Sequence, residues 1–236
     1  MKQLHVTQLA ILKKLLFSPV LRYTEMKPDS KMDNNQFDFH LDSLITSVLV
    51  EKIDTGYTLT TAGKEYANRM DTDEVKILQQ AKLGARVGCV RTMNGIQEFL
   101  VYTRKKQPFY NCQGFLAGKI RYGEKVLDAA VRELQEETGL TGSPMLVEVE
   151  HMRVYDQESK ELLEDKFFFF YKVENPTGTL TPNEEGEHYW IPENKLAEQV
   201  TNPFNSLNEF FGEIELLKNF NGTVSFIEKE VYSNKF

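Results

Sequence analysis

Cysteine is nearly missing from this chain: Cys89 and Cys112 are the only two in 236 residues. Two thiols cannot supply a disulfide framework, and Cys89 lies in an apolar stretch where a small buried thiol is expected, so a reducing, cytoplasmic setting fits better than a stapled secreted fold. Long hydrophobic runs are missing too. No stretch approaches the roughly 20 apolar residues of a membrane span, and the apolar patch near the N-terminus is interrupted by Lys13 and Lys14, unlike a signal-peptide core. Neither a membrane segment nor a targeting segment is expected. The third absence is an excess of positive charge. The chain carries 28 Lys/Arg against 35 Asp/Glu, a net charge of −7; residues 1–70 hold nine against eight, a net of +1, which leaves −8 for the remainder. Neither part carries the basic footprint of a protein that holds nucleic acid mainly through its phosphates.

What is present is ordinary globular material, 41% hydrophobic and 27% charged, in a length that suits one large or two small domains. Two are expected. Residues 6–17 place apolar side chains at helical spacing with Lys13 and Lys14 on the far side, and Ser18-Pro19 stops the helix. A short apolar piece from Leu21 to Met26 leads through Pro28-Asp29-Ser30 to a second helical pattern. Its buried stripe is Phe37, Leu41, Leu44, Ile45 and Val48, and His40 on it reads as a packed or solvated histidine rather than a ligand. Asp54-Thr55-Gly56 between two short apolar runs signals a hairpin, and Thr61 is placed to cap a last helix through Gly63, Tyr66 and Ala67. This order over residues 1–70 resembles a winged helix-turn-helix domain, most closely at Phe39 to Ile45 and Gly56 to Lys64. The helix that would read DNA carries Asp38 and Asp42 and has no Lys or Arg from Met32 to Glu51. Dimer formation or partner contact is therefore expected of this domain ahead of DNA reading.

Residues 71–83 are polar and charged and are read as a linker, or as a coupling helix, before a second domain at 84–236. Arg86 to Val90 and Glu98 to Thr103 read as strands joined at Asn94-Gly95, followed by the basic run Arg104-Lys105-Lys106, a solvated loop or a cationic arm near a substrate. Phe115 is expected in the core, and Tyr110 is open between core and stacking. Leu127, Ala130, Val131 and Leu134 recur as the buried stripe of a helix from about Val126 to Thr138, and Gly139 stands where a left-handed cap belongs. On this helix Glu133, Glu136 and Glu137 fall at i, i+3 and i+4, three carboxylates side by side. Like charges so placed repel by a few tenths of a kcal/mol per pair. A hard divalent ion such as Mg²⁺, with Mn²⁺ as the alternative, would reverse that cost.

The full stretch Gly118-Lys-Ile-Arg-Tyr-Gly-Glu124 through Arg132-Glu133-Leu134, Glu136-Glu137 and Gly139-Leu140 resembles the Nudix box without a departure. At average composition such a match arises by chance roughly once in 10⁹ starting positions. The resemblance covers about residues 84–200. It implies an α+β chain in which a Nudix α/β/α sandwich with a mixed sheet follows the winged-helix-like domain. It also implies attack of water on a diphosphate linkage in a nucleoside diphosphate joined to another group. Carried over by position, Glu136 and Glu137 are the expected metal ligands, with the Gly118 carbonyl as a backbone ligand. Glu133 is expected to bind metal or act as base, Arg132 to orient a neighbouring carboxylate, and Glu124 and Gly139 to support the box.

Farther on, Met145 to Val154 and Lys166 to Val173 read as strands, and Phe167 to Phe170 as a segment covered on both faces. The acidic loop Thr181-Pro182-Asn183-Glu184-Glu185-Gly186-Glu187 is expected to add a metal ligand or the base, with Glu187 first choice and Glu184 and Glu185 next. Residues 206–218 suggest a closing helix and Thr223 to Val231 a last strand. Besides a hydrolase, two other classes stay open: a transcription regulator that senses a nucleotide metabolite, and a non-hydrolytic binding or isomerase role on the same fold, where a cysteine-dependent isomerase would need a reactive Cys112 in the site. The substrate is a nucleotide-type small molecule whose identity no motif names, and a homodimer is expected.

Overall fold

The computed structural model describes residues 4–181 and 183–236, so Met1 to Gln3 and Pro182 of the acidic loop lie outside the described residues. The chain divides into two compact units, residues 1–79 and 80–236.

In the first unit, His5 caps helix α1 (Val6–Phe17) by accepting from the Thr7 amide, and Asp33 caps α3 (Asn34–Thr46) by accepting from the amides of Asn35 and Gln36. Between them lies one turn of helix, α2 (Tyr23–Met26). Strands β1 (Val50–Ile53) and β2 (Gly56–Leu59) pair antiparallel across Asp54-Thr55, and α4 (Thr61–Ala67) follows. Its cap is Thr60, not the expected Thr61: the Thr60 hydroxyl accepts from the Gly63 amide. Ile11, Leu12, Met26, Phe37 and Leu44 form the apolar core. Val48, expected in the α3 stripe, lies past the helix end and is exposed. His40 is buried and stacks on His5 at 4.5 Å.

The expected linker holds structure of its own. Strands β3 (Met70–Asp71) and β4 (Lys76–Ile77) pair with each other, and Met70, Val75 and Ile77 pack on the first unit's core. The second unit then begins with a strand longer than expected, β5 (Lys82–Met93).

The second unit is a mixed eight-stranded sheet between two helices. Added to β5 are β6 (Ile96–Arg104), β7 (Gln113–Gly114), β8 (Leu116–Lys119), β10 (Met145–Asp156), β11 (Leu162–Glu174), β13 (Gly186–Pro192) and β14 (Ser225–Ser233). A separate small ladder joins β9 (Leu140–Thr141) to β12 (Thr177–Gly178). The main order is β13-β6-β5-β11-β10-β14; β5 runs parallel to β11, and β10 parallel to β14.

Strand alternation sends successive β5 side chains to opposite layers. Ala85, Val87 and Cys89 meet helix α5 (Val126–Thr138), whereas Val90 joins the cluster under α7 (Leu207–Asn219). The short α6 (Leu196–Gln199) closes that second cluster through Leu196. Phe170 and Phe169 divide between the same two layers, as a strand covered on both faces requires, but only Phe170 is fully buried, and Phe167, Phe168 and Phe169 are half-buried.

One irregularity positions the site. Along one edge of β5, residues 90–93 pair with β6 and residues 84–87 pair with β8, while the far end of β6 pairs with β7. The sheet therefore forks, and the fork opens a cavity.

Candidate active site

The box helix turns a different stripe inward from the one expected. Ala129, Ala130, Glu133, Leu134 and Thr138 are buried, and Leu127 and Val131 are about half exposed. The small alanines let α5 approach β5 closely, and that approach draws Glu133 toward the sheet. Gly118 on β8 receives it: a Cβ at this position would overlap the Glu133 carboxyl group. Only glycine fits here, for reasons of space. At the other end of α5, Gly139 adopts φ 73° as the left-handed cap, its amide donating to the Gln135 carbonyl.

Arg132 ties the box together. Its Nε and Nη2 donate to the two oxygens of Glu124, at 2.6 and 2.9 Å. Its Nη1 donates to Glu133 at 2.6 Å and Glu136 at 3.0 Å, and Nη2 also reaches the Lys119 carbonyl. Glu124 accepts in turn from the Arg121 amide, so the arginine and the loop before the helix hold each other. Hydrogen bonding to Arg132 pulls the Glu124 carboxyl down to about 2. Glu133 moves the opposite way: burial raises it despite Arg132, and Glu137 and Glu136 add to the rise. Glu137 accepts from the Asn183 side-chain amide at 2.8 Å.

Gly118, Arg132, Glu133, Glu136 and Glu137 all line one cavity of about 730 Å³. Of the basic run, Arg104 and Lys106 line it as well. Arg104 donates to the carbonyls of Lys106 and Pro108, which shapes the loop, and Lys106 pairs with Glu185. Lys105 lies outside and pairs with Glu187 at 3.5 Å.

That pairing displaces the first choice from the acidic loop. Glu187 is exposed, also accepts from the Tyr189 hydroxyl, and does not reach the cavity, whereas Glu185 does. The two belong to different local structures: Glu185 lies in the turn ahead of β13, its amide donating to Asn183 Oδ1, and Glu187 lies on the strand itself. Cys112 is buried outside the cavity, and burial raises its thiol pKa; this contradicts a reactive thiol in the site. Tyr110 is half exposed and Phe115 is core.

The donor chemistry fits a hard divalent ion. Three carboxylates and the residue of a backbone carbonyl line the same cavity, and Mg²⁺ takes one or two carboxylates while keeping waters. In the conformation described, Glu133 and Glu136 are turned onto Arg132, and among the described residues no three acidic, histidine or cysteine side chains close into a metal cage.

Sequence reasoning passed over Asn183, which holds Glu137, and Arg86, which lines the cavity from β5. Asn183 gave a weak signal as the one amide in the acidic loop. Arg86 gave none, since its partners are distant in sequence.

Among solved structures, the fold is similar to the NUDIX domain of Shewanella oneidensis NrtR complexed with ADP ribose, at 15% identity over 69% of this chain and 99% of that one, with a TM-score of 0.51. A mutator MutT protein from Bacillus halodurans matches at 18% identity over 65% and 93%, with a TM-score of 0.47. An ADP-ribose pyrophosphatase from Streptococcus suis matches at 16% identity over 63% and 100%, with a TM-score of 0.43. The family model of the NUDIX domain matches residues 82–209, more than half of the chain and all of the box, and the chain belongs to that family.

Proposed function

We propose that the second unit is a hydrolase that cleaves a diphosphate linkage in a nucleoside diphosphate joined to another group, with Mg²⁺ or Mn²⁺ as cofactor. The observation that carries this reading is that Gly118, Arg132, Glu133, Glu136 and Glu137 line one cavity together with Arg104 and Lys106. Glu136, Glu137 and the Gly118 carbonyl would hold the ion, which when bound would neutralise phosphate oxygens and acidify a water molecule. Arg132 positions Glu133 and Glu136. Glu133, with its carboxyl raised by burial, suits a proton acceptor better than an ordinary surface carboxylate does, because a general base works best with a pKa near the operating pH. Glu185, in the cavity and beside Lys106, takes the place first given to Glu187.

The test is a panel of ADP-ribose, dinucleoside polyphosphates, NADH, nucleotide sugars and nucleoside triphosphates with Mg²⁺, read as phosphate released after phosphatase coupling. ADP-ribose heads it, being the ligand of the S. oneidensis domain. Turnover of at least one member is expected, and Glu137→Gln should lower kcat by about 10² or more while the melting curve persists. Near-normal turnover in both Glu136→Gln and Glu137→Gln would remove the metal assignment.

A second reading, a regulator that senses a nucleotide metabolite, draws on the first unit, whose order of helix, short helix, helix, hairpin and helix supports a winged helix-turn-helix assignment. The surface of α3 opposes DNA contact, since it carries Asp38 and Asp42 and no cation. We place the protein in the cytoplasm as a homodimer joined through this unit. Nanomolar, sequence-selective binding of duplex DNA by the full chain at near-physiological salt would promote the regulator reading instead.

A further inference from the structure

Part of the cavity lining has no role in diphosphate chemistry: Phe168 and Glu213, which both contact Arg86, and Phe204 and Asn205, which lead into α7. Gly84 lies between Phe168 and the Gly118 carbonyl. A Cβ on Gly84 would lie 2.8 Å from the Phe168 ring and 3.1 Å from the Gly118 carbonyl, so a missing side chain keeps the passage open.

The charges here are already matched. Arg86 donates from Nη1 to Glu213 at 2.8 Å and from Nη2 to Glu150 at 2.7 Å, and its guanidinium lies 4.2 Å from the centre of the Phe170 ring. Lys166 pairs with Glu164 and lies 5.4 Å from the centre of the Phe168 ring. A phosphate would meet cations whose carboxylate partners stand beside them, whereas a neutral planar group would meet the half-buried rings of Phe168 and Phe204.

Two polar groups on the walls have capacity to spare. Glu213 uses Oε1 on Arg86, and among the described residues neither Glu213 Oε2 nor the Asn205 side-chain amide makes a hydrogen bond. A carboxylate only accepts, and an amide both donates and accepts. Together they match an exocyclic amine next to a ring nitrogen, the edge on which an asparagine amide pairs with adenine. A purine with a carbonyl in place of the amine would turn an oxygen onto the Glu213 carboxylate and leave an acceptor unpaired.

We propose that this part of the cavity is a subsite for a 6-aminopurine: the base lies against Phe168 and Phe204, Asn205 and Glu213 read its amine edge, and the diphosphate runs past Gly84 to the box. The placing of the diphosphate rests on the hydrolase reading; recognition of the base is testable without turnover. AMP and IMP differ in the amine alone, and each is titrated calorimetrically into the full chain at pH 8 in EDTA. AMP is expected to bind at least about tenfold more tightly than IMP. Asn205→Ala should shrink that ratio, and Phe168→Leu should weaken both nucleotides alike. Glu213→Gln also loosens Arg86, so Asn205→Ala, whose side chain holds nothing else among the described residues, is the deciding variant. Equal affinities in the wild type, binding of neither nucleotide, or a ratio unchanged by Asn205→Ala overturns the subsite. Absence of the AMP preference with turnover intact sinks the subsite and spares the hydrolase reading. An AMP preference lost in Asn205→Ala, in a protein that hydrolyses nothing on the panel, does the reverse.

Discussion

The two units treat ionisable side chains in opposite ways. The first builds its interior from Ile11, Leu12, Met26, Phe37 and Leu44, and its buried polar residues are Thr7, Gln8 and His40. The second buries Arg86, Glu133, Glu148, Glu150, Glu164, Lys172 and His188. Removing a charge from water costs several kcal/mol unless it is paired, so such groups persist where geometry supplies partners or where chemistry needs a shifted titration. Arg86, Glu150, Glu213 and Lys229 show the first case: they join β5, β10, α7 and β14 in one network, with Lys229 at 2.8 Å from Glu150. Glu133 shows the second. A polar interior is thus where this chain keeps both its cross-bracing and its candidate chemistry.

The comparison can be broken at Arg86. Arg86→Leu leaves Glu150 and Glu213 to Lys229, 2.8 Å from the one and 3.8 Å from the other, and the second unit should lose about 3 kcal/mol. The single tryptophan, Trp190, belongs to this unit and reports its unfolding by fluorescence alone. A variant that melts like the wild type by this signal would mean that the network contributes little.

His188 sharpens the contrast through pH. Both its ring nitrogens are buried without a hydrogen bond beside Tyr102, and burial lowers its pKa to about 4. A free histidine titrates near 6.5, so between these values the unfolded chain binds the proton and the folded one does not. This stability is whole above about pH 6.5 and drains as pH falls toward 4, by up to about 3 kcal/mol. His188→Leu should flatten that stretch of the stability–pH curve measured through Trp190. An unchanged slope would show that His188 takes up a proton without cost.

The smallest effect belongs to the first unit. Thr60→Ala removes the hydroxyl that accepts from the Gly63 amide and should cost about 1 kcal/mol. Circular dichroism should register the loss, and the Trp190 transition should stay in place.

Local rules made the box legible. Gly118, Arg132, Glu133, Glu136, Glu137 and Gly139 lie within a loop and three turns of one helix, where spacing fixes the face. The inward stripe was misjudged at Leu127 and Val131 because alternative stripes of one helix differ by small rotations, and the sheet chose the one that brings Ala129 and Ala130 closest. Spacing alone does not separate Glu185 from Glu187, because a loop has no period; the turn that Asn183 closes leaves Glu185 ahead of β13 and starts the strand before Glu187. Arg86 was invisible for another reason: its partners at positions 150 and 213 become neighbours only when β10 and α7 are in place.

The parallel ladders also order events in time. The hairpin of the first unit closes across two residues, but β5 waits for β11, with Lys82 opposite Lys166, and β10 waits for β14, with Glu148 opposite Ser225. Loops of that span close late, since their entropy is lost before the contacts that reward it exist. The helical unit should form while the large sheet is still searching, and the cavity, which needs β5, β8, β11 and α7 together, should be among the last parts of the molecule to form.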